Sequence, residues 1–254
     1  MKYGICVGVN QIKYLKDIGC DYAEISLSGI AAMTDSEFEL LVEENEKSDV
    51  KIEATNGFFP SNIRLVWPDF NIKQISEYTN LALYRASELG IKTCVLGSGI
   101  SRKYGSGYTL EDALSDFKKS LSIISEIASR HSITVCIEPL SYNETNVVNT
   151  VIEAYNVAKS VNKENIKVMA DFYHMRNNNE DFNTLKEVGK DLIHVHISGF
   201  TTGRTFPMKV SEDRYKEFFD VLKEIGYDKS VSIEAGVKDL QKEGKVALEV
   251  LRSL

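Results

Sequence analysis

The feature that most constrains this chain is a regular alternation between short β-branched runs and longer stretches with helical spacing. Eight strand candidates occur along the 254 residues, each followed by a helical stretch. They are Tyr3–Gly8, Tyr22–Leu27, Lys51–Asn56, Thr93–Gly97, Ile133–Glu138, Lys167–Asp171, Leu192–Ile197 and Val231–Glu234. Eight β–α units without a proline-rich linker or a shift in composition predict an α/β fold, a single (β/α)8 TIM barrel over residues 1–254.

Two of the eight predicted helices show clear start signals in the sequence. From Leu110 to Ser132, apolar residues recur at helical spacing, and Thr109 stands at the N-cap position. A second helix begins after Thr34, where Glu37 completes the spacing of a capping box. We therefore expect a helix to begin at each of these two positions.

A doubly wound open sheet is the alternative fold, and it usually carries a glycine-rich dinucleotide fingerprint. The nearest approach to that fingerprint is Gly97-Ser-Gly99, and Arg102 stands where the third glycine belongs. No P-loop motif occurs in the chain either. The sequence therefore favours the barrel and predicts an activity that needs no nicotinamide, flavin or ATP.

Charge and cysteine usage limit the partners and the location of the protein. The chain has 30 Lys and Arg against 37 Asp and Glu, and a net charge of −7 opposes a nucleic-acid partner. Its four cysteines form no C-x-x-C pair, which predicts reduced thiols rather than a zinc ribbon or a disulfide framework. No apolar run approaches the roughly 18 residues of a membrane span. We therefore expect a soluble cytoplasmic protein without membrane contact.

Four reactive side chains fall at or near the carboxyl ends of the last four predicted strands. They are Glu138, Asp171, His196 and Glu234. In a β/α barrel this end carries the active site, so four strands aim these side chains at one small volume. Three carboxylates and one imidazole suit a divalent ion such as Mn²⁺, Mg²⁺, Co²⁺ or Zn²⁺, which would remove their mutual repulsion. The alternative is that each acidic residue ends its strand in solvent or caps the next helix.

Other polar residues on or near the strands leave two interpretations open. His194 and His196 share one face of their strand, and we expect His196 to be the ligand and His194 a packed or supporting residue. His174 could reach a substrate oxygen, or it could be a surface loop histidine. Glu24 and Glu53 could be buried polar residues of the barrel, and Glu53 would also suit a solvated strand edge.

Four sequence blocks resemble those of a known enzyme family. They are Ile133-Thr-Val-Cys-Ile-Glu-Pro-Leu140, Ala170-Asp-Phe-Tyr-His174, His194-Val-His196 and Ile233-Glu-Ala-Gly236. In these blocks the chain resembles the sugar phosphate isomerase/epimerase family of xylose isomerase-like barrels. Within that family it is similar to the ketose 3-epimerases that act on tagatose, psicose and related sugars. The resemblance spans essentially the whole chain.

The resemblance implies a metal-dependent isomerase acting in carbohydrate metabolism. It implies one divalent ion per chain, with Mn²⁺ expected ahead of Co²⁺, Mg²⁺ and Zn²⁺. The ligands implied are Glu138, Asp171, His196 and Glu234. It also implies that the two glutamates transfer protons, one at each face of the sugar, while the ion holds two neighbouring substrate oxygens.

The resemblance also implies substrate-binding residues. Glu144 and His174 match family positions that contact the substrate near its first carbons. Arg204 matches a family arginine, although it stands at a slightly different offset in its loop.

Two connecting segments bear on the shape of the substrate pocket. The long segment Thr55–Phe70 includes Trp67 and predicts an apolar lid or pocket wall for the carbon face of a sugar. Its alternative is a cluster packed under a surface loop. The stretch Gly97–Lys103 could bind an anion through its backbone amides and Arg102, or it could form a flexible turn. Free sugar and sugar phosphate therefore both stay open as substrates.

We expect the reaction to be inversion at C3 of a ketose through an enediolate, because inversion calls for two acid/base groups. An aldose/ketose or hydroxypyruvate-type isomerase on the same metal site is the alternative. An apurinic-site endonuclease shares the barrel but needs more histidines than the four present here. A non-catalytic sugar-binding barrel would not need both glutamates. The expected partner is a small sugar or sugar phosphate, and a homodimer or homotetramer stays open.

Overall fold

Eight parallel strands close into a barrel in chain order, so that each strand pairs with its sequence neighbours and the last pairs with the first. The computed structural model describes all 254 residues. The strands are β1 (Lys2–Cys6), β2 (Tyr22–Ser26), β3 (Ile52–Asn56), β4 (Thr93–Leu96), β5 (Thr134–Ile137), β6 (Ile166–Asp171), β7 (Leu192–Ile197) and β8 (Ser230–Ile233). The predicted (β/α)8 TIM barrel is confirmed.

Ten α-helices, rather than the expected eight, connect the strands. They are α1 (Leu15–Ile18), α2 (Leu27–Ala31), α3 (Asp35–Lys47), α4 (Ile72–Glu88), α5 (Leu110–Arg130), α6 (Val151–Val161), α7 (Phe172–Asn177), α8 (Leu185–Val188), α9 (Tyr215–Glu224) and α10 (Leu240–Ser253). The crossovers after β2 and β6 each hold two helices, because α2 and α7 follow their strands directly. Ser26 and Asp171, the last residues of these strands, cap the helices by accepting a backbone N–H bond.

Both predicted helix starts are confirmed. The Thr109 hydroxyl accepts a backbone hydrogen bond at 3.1 Å at the start of α5. Thr34 and Glu37 form the capping box of α3. The predicted end of α5 at Ser132 is wrong by two residues: the helix ends at Arg130, and Ser132 has a left-handed backbone with φ of 54°.

Four strands, β2, β4, β5 and β8, end one residue earlier than predicted, and for β5 and β8 this affects the functional end of the barrel. Glu138 and Glu234 lie just beyond β5 and β8 rather than inside them. Each still donates its backbone N–H to a carbonyl of the preceding strand, at 3.1 Å. Each carboxylate therefore stands at the rim of the barrel, where the strand continues into a loop.

The interior of the barrel is partly apolar and partly polar. Val95, Cys136 and Met169 form a small apolar cluster separate from the main core. Their sequence neighbours belong to that core, and side chains alternate along a strand, so these three point into the barrel. The fully buried polar residues include Tyr22, Glu24, His194, His196 and Ser232. A barrel that buries this many polar groups must bond them internally.

The structure also describes the state of the cysteines and the character of the helices. All four cysteines are free, as the sequence predicts. None of the helices combines the length and the apolar character that crossing a bilayer requires.

The Tyr22 ring lies directly against Gly4 of β1. A Cβ atom on Gly4 would stand 2.6 Å from Cζ of that ring, far inside normal contact distance. The Tyr22 hydroxyl is held in turn by a hydrogen bond to Ser232 Oγ at 2.5 Å. The close approach of β1 to the ring therefore requires glycine at this position.

We expect Gly4→Ala to lower the free energy of unfolding by about 1–3 kcal/mol, because the added methyl overpacks the interior against a fixed ring. Denaturant unfolding followed by circular dichroism measures the difference. Gly236→Ala is the matched control, since a Cβ there would meet no atom closer than 3.9 Å. Equal stability of Gly4→Ala and the wild-type chain would contradict this packing.

Candidate metal centre and active site

The structure brings the four strand-end residues together at the carboxyl end of the barrel. Glu138 follows β5, Asp171 ends β6, His196 lies in β7 and Glu234 follows β8. Their donor atoms all lie within 4.8 Å of one another. Three of the residues are buried, and Glu234 is partly exposed. Four consecutive strands thus supply three carboxylates and one imidazole to one point, called the four-residue cluster below.

Two donor atoms of the four-residue cluster are buried without a hydrogen-bond partner. They are Nδ1 of His196 and Oε1 of Glu138. The His196 Nδ1 atom lies 3.5 Å from Glu234 Oε2, 3.6 Å from Glu138 Oε1 and 4.0 Å from Asp171 Oδ2. Buried polar atoms without partners are costly, and one cation among them would satisfy them together. Oxygen donors with one imidazole nitrogen therefore fit a divalent metal ion.

Behind His196, the fully buried carboxylate of Glu24 binds both histidines of β7. His196 Nε2 donates to Glu24 Oε1 at 2.9 Å, and His194 Nε2 donates to Oε2 at 2.8 Å. Burial acts to raise the pKa of Glu24, but the two histidines outweigh it and hold this pKa well below its ordinary value. His194 therefore lies outside the four-residue cluster and meets it through Glu24 and through its own ring, whose centroid lies 5.1 Å from that of His196.

His174 reaches the cluster from α7. The backbone N–H of Ser141 donates to His174 Nδ1 at 3.2 Å, so a neutral ring carries its proton on Nε2. That Nε2 has no partner and lies 3.9 Å from both Glu138 Oε1 and Asp171 Oδ2. Burial lowers the pKa of His174, which keeps the ring neutral at pH 7. The alternative of a surface loop histidine is wrong, since the residue is 1% exposed.

Arg204 contacts the cluster from the loop between β7 and α9. Its Nη2 lies 2.5 Å from Glu234 Oε2 and 3.6 Å from Asp171 Oδ2. Its Nη1 lies 3.8 Å from Glu144 Oε1, and the guanidinium packs over the Tyr173 ring at 5.0 Å. Burial acts to lower the pKa of Arg204, but the surrounding carboxylates raise it above its ordinary value. The guanidinium is therefore a permanent positive charge beside three carboxylates.

A tight turn brings Arg204 to the cluster in spite of its shifted offset in the sequence. Gly203 and Arg204 both have left-handed backbones, with φ of 81° and 59°. The Arg204 N–H donates to the Gly199 carbonyl at 2.7 Å, and its carbonyl accepts from Gly236 N–H at 2.9 Å. The loop is thus tied to the segment after β8, close to Glu234.

The two glutamates of the cluster have different surroundings. Asn56, at the end of β3, donates to Glu234 Oε1 at 2.7 Å, while Arg204 contacts Oε2. Burial acts to raise the pKa of Glu234, but His196 and Arg204 outweigh it and bring this pKa to about 2. Glu138, in contrast, has an oxygen without any donor. The sequence analysis did not identify Asn56, because its only sequence signal is that it is polar and stands at the end of a strand.

Gly97 and Arg102 pack against Glu138, and sequence reasoning did not place them there. A Cβ on Gly97 would stand 2.1 Å from Glu138 Oε2. Arg102 is fully buried, donates from Nη2 to the Glu138 backbone carbonyl and packs over Phe117. Arg102 therefore neither offers its guanidinium to an anion at the surface nor belongs to a flexible turn, because this group is buried inside the protein.

The segment Thr55–Phe70 is divided between the core and the surface. Phe58 and Phe59 are buried with their ring centroids 4.8 Å apart, so this part forms the packed cluster of the second alternative. Trp67 is 43% exposed and stacks against Tyr108 at 5.4 Å. None of these contacts joins Trp67 to the four-residue cluster, and its role toward a substrate stays a prediction.

Comparisons with known proteins agree with this geometry. A family model described as "xylose isomerase-like TIM barrel" matches residues 12–254. The D-psicose 3-epimerase of Agrobacterium fabrum is 26% identical over 234 residues, which cover 89% of this chain and 78% of that protein. The ketose 3-epimerase of Arthrobacter globiformis is 30% identical over 166 residues, 65% of this chain and 56% of that protein. The crystal structure of 3-keto-D-glucoside 4-epimerase from Escherichia coli superimposes over 100% of both chains, with a TM-score of 0.84 at 18% identity.

The fold and the relatives together define an enzyme of the isomerase class. The chain belongs to the xylose isomerase-like TIM barrel family. The family resemblance of the four sequence blocks is thereby confirmed, while the structural likeness at 18% identity supports the fold alone.

Gly97→Ala tests the metal centre without removing any donor atom. The added methyl would meet Glu138 Oε2, so we expect Mn²⁺ affinity to fall about tenfold or more. Elemental analysis after dialysis measures the bound metal, and Asp171→Asn should show a larger loss. Gly105→Ala, in the same loop, is the control, since its Cβ would come no closer than 3.7 Å to another atom. Full metal retention in Gly97→Ala and Asp171→Asn would contradict the site.

Metal binding should strengthen as pH rises through the neutral range. Burial acts to lower the pKa of His196, but Glu24 and Glu234 outweigh it and raise this pKa well above its ordinary value. A proton on Nδ1 therefore competes with the metal ion and must leave when the ion binds. Titration calorimetry of Mn²⁺ in buffers of different ionisation enthalpy should detect about one proton released per ion. Affinity that does not change between about pH 6 and 8 would count against this competition.

Proposed function

We propose that this enzyme is a metal-dependent sugar epimerase that inverts C3 of a ketose, free or phosphorylated, with Glu138 and Glu234 as the acid/base pair. The observation that carries the proposal is their placement after β5 and β8, with Asp171 and His196 from the two strands between them. Inversion removes a proton from one face of a carbon and returns a proton to the other. Two carboxylates from separated strands suit this task, whereas proton transfer between adjacent carbons needs only one.

We propose that the four-residue cluster holds one divalent ion, Mn²⁺ by preference, with Co²⁺, Mg²⁺ and Zn²⁺ as alternatives. Glu138, Asp171 and Glu234 would supply carboxylate oxygens, and His196 would supply Nδ1. When bound, such an ion supplies positive charge that stabilises negative charge on the substrate oxygens during proton removal. The support for this ion is the pair of buried donor atoms that have no partner in the protein.

The surroundings of the two glutamates suggest how they divide the proton transfer. Glu234 has a pKa of about 2, set against burial by His196 and Arg204, and is ionised at neutral pH. Starting from an ionised Glu234 and a protonated Glu138, Glu234 would take the proton from C3 and Glu138 would give its proton to the opposite face, which leaves Glu234 protonated and Glu138 ionised. In the reverse direction the two residues would exchange these roles.

We propose that His174, Glu144, Arg204 and Trp67 bind the sugar. His174 offers an Nε2–H donor without a partner, which suits a substrate oxygen near the cluster. The Arg204 and Glu144 side chains are 30% and 39% exposed and lie 3.8 Å apart, so both a donor and an acceptor are open to hydroxyl groups. The exposed Trp67 ring would pack against the carbon face of the sugar.

Turnover in D₂O tests the position of proton transfer. With Mn²⁺-loaded enzyme and a panel of free ketoses and ketose phosphates, we expect deuterium at C3 of the product, because C3 loses and regains a proton there. Proton NMR of substrate and product locates the label. Label confined to C1 or C2 would instead indicate an aldose/ketose isomerase and would refute inversion at C3.

Substitution of each glutamate tests the two-residue mechanism. Glu138→Gln and Glu234→Gln should each lose about 100-fold or more in kcat, because each removes one proton-transfer group. Rates are compared only in variants whose bound Mn²⁺ is first measured. Glu53→Gln is the matched control, because Glu53 is partly exposed and pairs with Lys2 at the surface. Near-normal turnover by either cluster variant with its metal retained would contradict the paired mechanism.

A further inference from the structure

The barrel interior contains a carboxylate that the proposed chemistry does not use. Glu24 of β2 is fully buried, and both of its oxygens accept hydrogen bonds. Besides the two histidines of β7, the Ser232 hydroxyl donates to Oε2 at 2.5 Å. Tyr22 donates in turn to Ser232 at 2.5 Å. Buried groups from β2, β7 and β8 thus form one hydrogen-bonded network behind the four-residue cluster.

The network decides which nitrogen of His196 faces the cluster. An ionised carboxylate only accepts hydrogen bonds, so His196 Nε2 must carry the proton that it donates to Glu24. In the neutral ring Nδ1 then keeps its lone pair, and Nδ1 is the atom that lies among the oxygens of the other three cluster residues. The opposite tautomer would put a proton where a metal donor is needed.

Glu24 is itself held in place from the side away from His196. His194 and Ser232 both donate to Oε2, so the carboxylate cannot rotate without breaking two buried hydrogen bonds. The absence of a side chain at Gly4 lets the Tyr22 ring pack inside the barrel and reach Ser232. The orientation of the His196 ring is therefore set by Glu24 and by groups that supply no donor atom to the four-residue cluster.

We propose that Glu24 is a positioning residue that fixes the tautomer and the ring orientation of His196 and thereby sets the affinity of the four-residue cluster for a divalent cation. This proposal rests on the metal centre of the proposed function. A carboxylate that receives the second ring proton of a metal-binding histidine typically changes metal affinity by about 10- to 100-fold.

Glu24→Gln tests the proposal because it preserves the size of the side chain and removes its charge. We expect the Kd for Mn²⁺, measured by titration calorimetry at several pH values on the full chain without substrate and corrected for the competing proton on His196, to rise about 10- to 100-fold. In the Zn²⁺-loaded chain, the Nε2 proton of His196 should move upfield by NMR, because its charge-assisted hydrogen bond is lost. A merely structural role would lower the unfolding free energy and leave both readouts of the folded protein unchanged.

Two further variants complete the experiment. Glu53→Gln is the matched control, because Glu53 lies on the neighbouring strand but pairs with Lys2 at the surface at 2.8 Å. It should bind Mn²⁺ as tightly as the wild type. Ser232→Ala removes one donor to Glu24 and leaves the His196 contact in place, so it should weaken Mn²⁺ binding less than Glu24→Gln does. This variant decides the question should Glu24→Gln fail to fold.

The outcomes separate this proposal from the proposed reaction. Wild-type Mn²⁺ affinity in folded Glu24→Gln, or in Ser232→Ala where only that variant folds, would overturn the role of Glu24. No Mn²⁺ binding by the wild-type chain would overturn the metal centre and this proposal together. Mn²⁺ binding without turnover of any ketose would contradict the proposed reaction alone, since the role of Glu24 is measured by affinity.

Discussion

The carboxyl end of the barrel depends on the compensation of buried negative charge. Glu24, Glu138 and Asp171 are each at most 5% exposed, where an unpaired carboxylate is costly. Burial raises the pKa of Asp171, whereas the histidines hold that of Glu24 well below its ordinary value. The difference lies in their partners, since Glu24 receives three donors and Asp171 a single backbone N–H from His174. The protein thus satisfies the carboxylate behind the cluster and, within the cluster, leaves Glu138 Oε1 without a donor and Asp171 with only one.

Most of the fold could be predicted because barrel strands are short apolar runs with turn residues at their ends. All eight predicted strands lie within two residues of the observed bounds, and β7 (Leu192–Ile197) matches at both ends. The short helices α2 and α7 were not predicted, because each begins directly at its strand end and was not distinguished from a connecting loop. The side chains of Ser26 and Asp171 begin these helices, and a polar residue at a strand end has the same appearance whether it caps a helix or enters a loop.

The four-residue cluster could be predicted from the sequence because the parallel strands of one barrel all end at the same rim. Residues that are distant in sequence meet there if each stands at the carboxyl end of its strand. The burial of Glu24 was predicted as one alternative and is confirmed, but its pairing with His194 was not predicted, since the two residues are 170 positions apart. Gly97 was missed because its importance lies in the space it leaves for Glu138. Two successive residues with left-handed backbones bring Arg204 to the four-residue cluster. The number of residues between Arg204 and the end of β7 does not reveal this loop geometry.

The direct junction of β6 and α7 has a consequence for how the candidate active site can be changed. Asp171 both ends the strand and caps the helix, with its Oδ1 accepting the His174 N–H at 3.1 Å. The two side chains are less than one helical turn apart, so they form one rigid unit. An insertion between them would move His174 away from Asp171 and break this cap. Laboratory evolution toward other sugars should therefore keep this junction unchanged. The loop that carries Arg204 is the better target for randomisation, because it lies between β7 and α9 and its length can vary without moving a strand.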